Sequence, residues 1–280
     1  MSDILLHLLP HIASSLLYAG LGLHFWHTRW HHKGPPAHIL TMQSWERIGI
    51  LVAAILQGIG LYDGLFSSEG MRFSFSFALS LMLWLAVIIY WLESFRSRMD
   101  GLQPLVLPLA AVCAALPTLF PQVHLIGHAG AWGFKLHFLT AMLAYGVFTL
   151  SAMHAVFMGI VERSLHQRAD IGLKFANLPP LLTMESLLFR MISVAFSLLT
   201  VALASGVMFS EEIFNKPVVL DHKTLFAFFS WGIFAALLIG RRAYGWRGRI
   251  ALRWTLAGFL VLMLAYVGSR FVSEFILGRI

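Results

Sequence analysis

Residues Phe73–Leu92 read FSFSFALSLMLWLAVIIYWL, without one charged side chain. Wound as a helix at 1.5 Å per residue, a run of that length covers roughly 30 Å, the thickness of a bilayer's hydrocarbon layer. Runs of the same kind recur on both sides of it: Ile4–Trp26, Ile48–Phe66, Leu102–Phe120, Leu136–Val161, Leu188–Phe209, Thr224–Gly240 and Trp254–Phe275. The whole chain is 59% hydrophobic and 12% charged, with a mean hydropathy of +0.78, more apolar surface than a water-soluble domain can bury. The expected fold is therefore all-α, a polytopic membrane protein of about eight transmembrane helices with no soluble domain left over. Strands are not expected, because the apolar runs are continuous rather than alternating.

Lys and Arg set the expected orientation, because short loops that carry them stay on the cytoplasmic side. With the N-terminus outside, fourteen of the twenty fall on inner loops, from Arg29, Lys33 and Arg47 to the Arg241, Arg242, Arg247, Arg249 and Arg253 group. Both termini are accordingly expected outside. The start Met-Ser-Asp has no basic n-region, so the first span reads as a retained anchor helix. Gly34-Pro35-Pro36 and Pro179-Pro180 mark turns in the two longest inner loops. The net charge of +7 lies at helix ends facing anionic lipid headgroups, which points to the bilayer as partner and not to nucleic acid. The single Cys113 excludes an intramolecular disulfide and a Cys-x-x-Cys-His haem attachment, so any haem is held non-covalently.

Thirteen histidines are many for such a chain. His137, in the stretch Trp132 to Phe138, and His222, between Asp221 and Lys223, both fall at outer helix ends by the charge argument. Two neutral imidazoles at matching depth on separate helices could supply both axial ligands of one haem iron, with Trp132 stacked on the porphyrin and Lys135 or Lys223 pairing its propionates. The plainer reading makes each an interfacial residue with its polar edge in the headgroups. Toward the inner side, His24, His27 and His31 share a helical face, and His154 lies about 25 Å along its helix from His137. His24 and His154 thus define a second, inner candidate, against which stands a packing role for each. The pairs His7/His11 and His124/His128 have the i, i+4 spacing of a helical metal chelate, but no nearby carboxylate or cysteine completes a site. Of the acidic residues weighed as intramembrane, only Asp63 comes close, so an ion transporter has no positive signature.

The last third carries a family resemblance. Asp221-His222-Lys223-Thr224-Leu225-Phe226-Ala227 through Trp231, then Gly245-Trp246-Arg247-Gly248 and Ala265-Tyr266-Val267-Gly268, resemble the pattern of cytochrome c assembly proteins of the CcsA type. Leu136-His137-Phe138 and Ala144-Tyr145-Gly146 resemble further elements of it. The likeness covers most of residues 130–275, a four-helix core, while the four helices within residues 4–120 match by length and hydropathy alone. The resemblance is closest to the smaller HemX-like and YpjD-like branch, whose members are short and have about eight helices. The resemblance implies a multi-pass protein of the bacterial inner membrane that handles haem, here haem b, alongside cytochrome c assembly proteins. It carries over His137; His222 stands where the synthetase branch has proline. The tryptophan-rich loop is missing, and Ile239-Gly240-Arg241 stands where the family has a histidine before its basic pair. Full cytochrome c synthetase activity is therefore not expected, and a binding, transfer or regulatory role is. The alternatives are a transporter of a metal ion or small solute and a ligand-free accessory subunit.

Overall fold

The computed structural model describes residues 2–31, 42–67, 70–96, 99, 101–121, 124–126, 132–166, 180–208 and 222–272. They form eight helices: α1 Ser2–Phe25, α2 Ser44–Leu65, α3 Phe75–Glu93, α4 Gln103–Leu119, α5 Trp132–His166, α6 Leu181–Met208, α7 His222–Tyr244 and α8 Arg249–Phe271. Seven are long and apolar enough to cross a membrane; α4, at 17 residues or about 26 Å, is the short one and carries Pro104, Pro108 and Pro117. The chain is thus an all-α multi-pass membrane protein.

Each helix begins and ends where backbone hydrogen bonds and side-chain partners allow, which is often beyond the apolar run. Helix α6 starts two turns before Leu188 because Glu185 and Arg190 are both paired and so can sit within the helix. Helix α5 runs for 35 residues, about 52 Å, and so extends past the hydrocarbon layer. A π-turn, Trp26–Trp30, prolongs α1, closed by the His31 N–H on the Trp26 carbonyl at 3.1 Å. A second, Leu264–Gly268, lies within α8.

One expectation is corrected at the opposite end. Strands β1 (Phe66–Ser67), β2 (Gly70–Phe73) and β3 (His124–Ile126) form an antiparallel sheet in that order, with Met71 opposite Ile126 and Phe73 opposite His124. Two to four residues are too few to show an alternating pattern in sequence, yet pairing satisfies backbone that leaves the helices at a membrane surface. Because His124 lies on a strand, it cannot present the one-turn helical spacing that a chelate with His128 would need; His128 lies outside the described residues.

The sheet marks one end of the bundle and arginines mark the other. There, Arg29 on the end of α1 meets Glu46 of α2 at 3.1 Å, Arg190 of α6 meets Glu93 of α3, Arg241 of α7 meets Glu185 of α6, and Arg249 of α8 meets Glu162 of α5 at 2.8 Å. Every residue of these pairs belongs to the end assigned to the inner loops, so alternating connection of the helices holds throughout. Between the ends, α1 packs on α2 and α4, α3 on α2, α4 and α5, and α5 on α6 and α8. Helix α5 is the most enclosed of the seven long spans. Gly146 lets it approach α3, where an added Cβ would stand 2.8 Å from that of Leu85. Phe148 stacks on Phe234 of α7 with 4.0 Å between ring centres.

Candidate functional site

His137 sits in the second turn of α5, half-buried against α6. Its Nδ1 lies 2.9 Å from the Ala202 carbonyl, with the Ser205 hydroxyl at 3.4 Å. A carbonyl only accepts, so Nδ1 carries the hydrogen and the lone pair of the neutral ring is on Nε2. A hydrogen bond from one ring nitrogen to a backbone carbonyl is how proteins orient and tautomerise metal-ligating histidines. Gly206 makes room for the ring: a Cβ there would come within 3.1 Å of His137 Cε1. Small residues of α6 therefore form the seat, and a carbonyl holds the imidazole in it.

His222 is the first residue of α7 and is exposed. Both histidines belong to the sheet end of their helices. Trp231 of α7 donates to Thr200 of α6 at 2.9 Å and stacks on Phe196, which gives the register between those helices. In that register the α7 residues beside Ala202 are Leu225 to Phe229 and those beside Gly206 begin at His222, so the seat of His137 lies alongside the first two turns of α7. Trp132 and Lys135 are exposed on the first turn of α5, Lys223 is half-buried, and Asp221 lies outside the described residues.

The two inner candidates have separate partners. His24 Nε2 donates to Glu46 Oε1 at 3.0 Å, and its ring meets Trp45 edge-on. His154 is buried and donates from Nε2 to the Met184 carbonyl of α6 at 3.0 Å, which leaves its lone pair on an enclosed Nδ1 that has no hydrogen-bonding partner among the described residues. His154 thus repeats at the arginine-rich end what His137 does at the sheet end, a ring on α5 tied to a carbonyl of α6. The π-turn shifts the phase of α1, so His27 and His31 do not continue the face of His24: His27 is exposed and His31 stacks on Trp26 at 4.9 Å.

Sequence reasoning passed over the carboxylates that organise the arginine-rich end. Glu46 is buried, receives Arg29 and His24, and also accepts the Gln43 N–H at 2.7 Å, so it caps α2 from its third position. That cap could have been found from a Glu three residues past the first polar residue of a span. Glu185 accepts Arg241 and the Gly248 N–H at 3.2 Å, where a positive φ of 53° turns the chain into α8. Nothing in the local sequence announces that contact.

Residues 45–277 match the family described as "Cytochrome C assembly protein". The chain belongs to that family. The matched region begins in α2 and so extends beyond residues 130–275 into the helices that resembled the family by length and hydropathy only. Among its relatives, "Inner membrane protein YpjD" of Escherichia coli (strain K12) is 26% identical over 242 residues, covering 83% of this chain and 89% of that protein. An uncharacterized 28.8 kDa protein of Azospirillum brasilense is 30% identical over 209 residues, 71% and 76% of the two chains. "Cytochrome c biogenesis protein CcsA" of Prochlorococcus marinus (strain MIT 9215) is 36% identical over 90 residues, 32% of this chain and 29% of that one. The likeness thus joins a CcsA-type family to its YpjD-like branch.

Proposed function

We propose that this protein binds haem b non-covalently at the sheet end of the bundle, with His137 as one axial ligand and His222 as the other, in a transfer, storage or regulatory role linked to cytochrome c assembly. The observation that supports it is the seat of His137: an imidazole held through Nδ1 by the Ala202 carbonyl, over a glycine, with Nε2 bearing the lone pair. Family membership supplies the ligand class, since the relative CcsA is named for cytochrome c biogenesis. Trp132 offers an apolar wall, Lys135 and Lys223 offer cations for propionates, and Asp221 adjoins the second ligand.

Haem held by two imidazoles supplies one-electron chemistry or serves as cargo, because no iron position stays open for oxygen. The chain's own part is to orient His137, exclude water with α6, and keep charge at the surface. In this reading the arginine-rich end faces the cytoplasm of a bacterial inner membrane and both termini face the other side. An inner site at His24 and His154 would require the rings to leave Glu46 and the Met184 carbonyl.

The test is the absorption spectrum of the protein purified from haem-replete cells, beside His137→Ala and His222→Ala. The expected result is a Soret band that is lost in the first variant and shifted or weakened in the second. A protein that is haem-free and also refuses added haemin overturns the proposal. Histidine-dependent flux of a metal ion in haem-free vesicles would put a transporter in its place.

A further inference from the structure

Helices α7 and α8 each carry an outward apolar stripe, and toward the arginine-rich end each stripe takes in an arginine. On α8 the exposed positions Leu260, Leu256, Arg253 and Ile250 follow one another at spacings of four and three, while Leu252, Thr255 and Gly258 are buried. On α7 the exposed Arg242 follows Ile239, itself 63% exposed, by three residues, while Leu237 and Gly240 are buried. An outward apolar stripe in a membrane meets hydrocarbon, so these two arginines stand where hydrocarbon gives way to headgroups.

The turn between the helices fixes their surroundings. Gly245 and Gly248, at φ of 65° and 53°, fold the chain so that the Trp246 N–H reaches the Gly240 carbonyl at 3.2 Å, and the indole packs against Gly240 with Trp254 of α8 at 5.1 Å. Glu185 of α6 ties the turn down by accepting Arg241 and the Gly248 N–H. With the indole turned inward, the next residue, Arg247, is 64% exposed and stands 3.9 Å from Glu185. Arg249 is 61% exposed and pairs with Glu162 of α5. Among the described residues the five arginines of this hairpin thus share two carboxylates in ion pairs, and the surplus charge faces outward.

We propose that the α7–α8 hairpin is a binding site for an anionic phospholipid of the leaflet at the arginine-rich end. Arg242, Arg247 and Arg253 take its phosphate, and its acyl chains run along Ile239, Leu256 and Leu260. A guanidinium matches two phosphate oxygens at once, and a turn held by Glu185 and Trp246 presents these groups without further ordering. Lipid is the occupant because Arg253 rises from among Ile250, Leu256 and Leu260, a strip that a water-soluble acidic partner does not reach. The site lies at the opposite end of the bundle from the seat of His137 and does not depend on haem.

Native mass spectrometry of the full chain in detergent, with phosphatidylglycerol or phosphatidylcholine added, tests this. Each cation near an anionic surface strengthens attraction about five-fold, so Arg242→Gln/Arg253→Gln is expected to weaken phosphatidylglycerol binding about 25-fold and to leave phosphatidylcholine binding unchanged. Arg96→Gln/Arg163→Gln, which removes two exposed arginines of the same end outside the hairpin, is expected to leave both nearly unchanged. Equal weakening by the two double variants means a diffuse surface charge and overturns the site. A hairpin variant that binds phosphatidylglycerol like the parent overturns it as well, as does a parent that takes up the two lipids equally. Polyglutamate that binds the lipid-free parent and not the hairpin variant would put an acidic protein in the lipid's place.

Discussion

Replacing Glu46 by Ala would remove the carboxylate on which the arginine-rich ends of α1 and α2 converge. Both side chains of the Arg29–Glu46 pair are 2% exposed, so solvent screens the interaction little, and the variant leaves a guanidinium buried without its counter-charge. Loss of one member of a buried pair costs about 3–5 kcal/mol. Glu46 also accepts the Gln43 N–H, and loss of a helix cap adds about 1 kcal/mol. The combined loss is about 4–6 kcal/mol, a fall of order 10 °C in melting temperature on the scale of soluble domains of this size. Thermal unfolding in detergent, followed by circular dichroism, measures it. The double variant Arg29→Met/Glu46→Leu removes both charges and should recover most of the loss, leaving the cap deficit of about 1 kcal/mol. If Glu46→Ala melts within a degree or two of the parent, or the double variant is no better than the single, the buried-charge reasoning is wrong.

By contrast, Arg249→Ala should change stability by less than about 1 kcal/mol, because that arginine is 61% exposed and its pair with Glu162 is screened. Gly240→Ala should cost about 1–3 kcal/mol in the same melt, since its Cβ would fall 2.4 Å from the Trp246 ring. Phe148→Ala, at a fully buried ring stacked on Phe234, should cost about 3–5 kcal/mol. Gly206→Leu should displace the His137 imidazole and abolish the Soret band while the helical circular dichroism persists; an unchanged band would mean that the seat over Gly206 does not hold the haem ligand.

The Glu46 and His137 sites illustrate two ways in which α-helical membrane proteins use backbone groups. At Glu46 a side chain satisfies a backbone N–H at a helix start while neutralising a cation. At His137 a backbone carbonyl inside α6, which also accepts the Ser205 hydroxyl at 3.0 Å, accepts the ring N–H and so orients the imidazole. The second arrangement needs close approach of α5 to α6, which Gly206 and Ser205 permit. His154 on the Met184 carbonyl needs the same approach at the other end. A single helix pair thus carries both rings.

The number of helices, their approximate limits and the end on which arginine gathers were legible in sequence, because a span of about 20 apolar residues has one low-energy solution in a bilayer and charges cannot follow it inside. His137 was legible too, as a histidine at a helix end in a family motif. Its tautomer was not, because the Ala202 carbonyl that decides it lies 65 residues away. Which turns of α7 lie beside that seat depends on the α6–α7 register, which side-chain packing sets and hydropathy does not. The polar face of α1, with His11, Ser14 and Tyr18, stood in the sequence at spacings of three and four, yet only its neighbours show that the face turns inward. Whether a helix presents its polar or its apolar side to lipid depends on the helices beside it, and that is a property of the folded bundle.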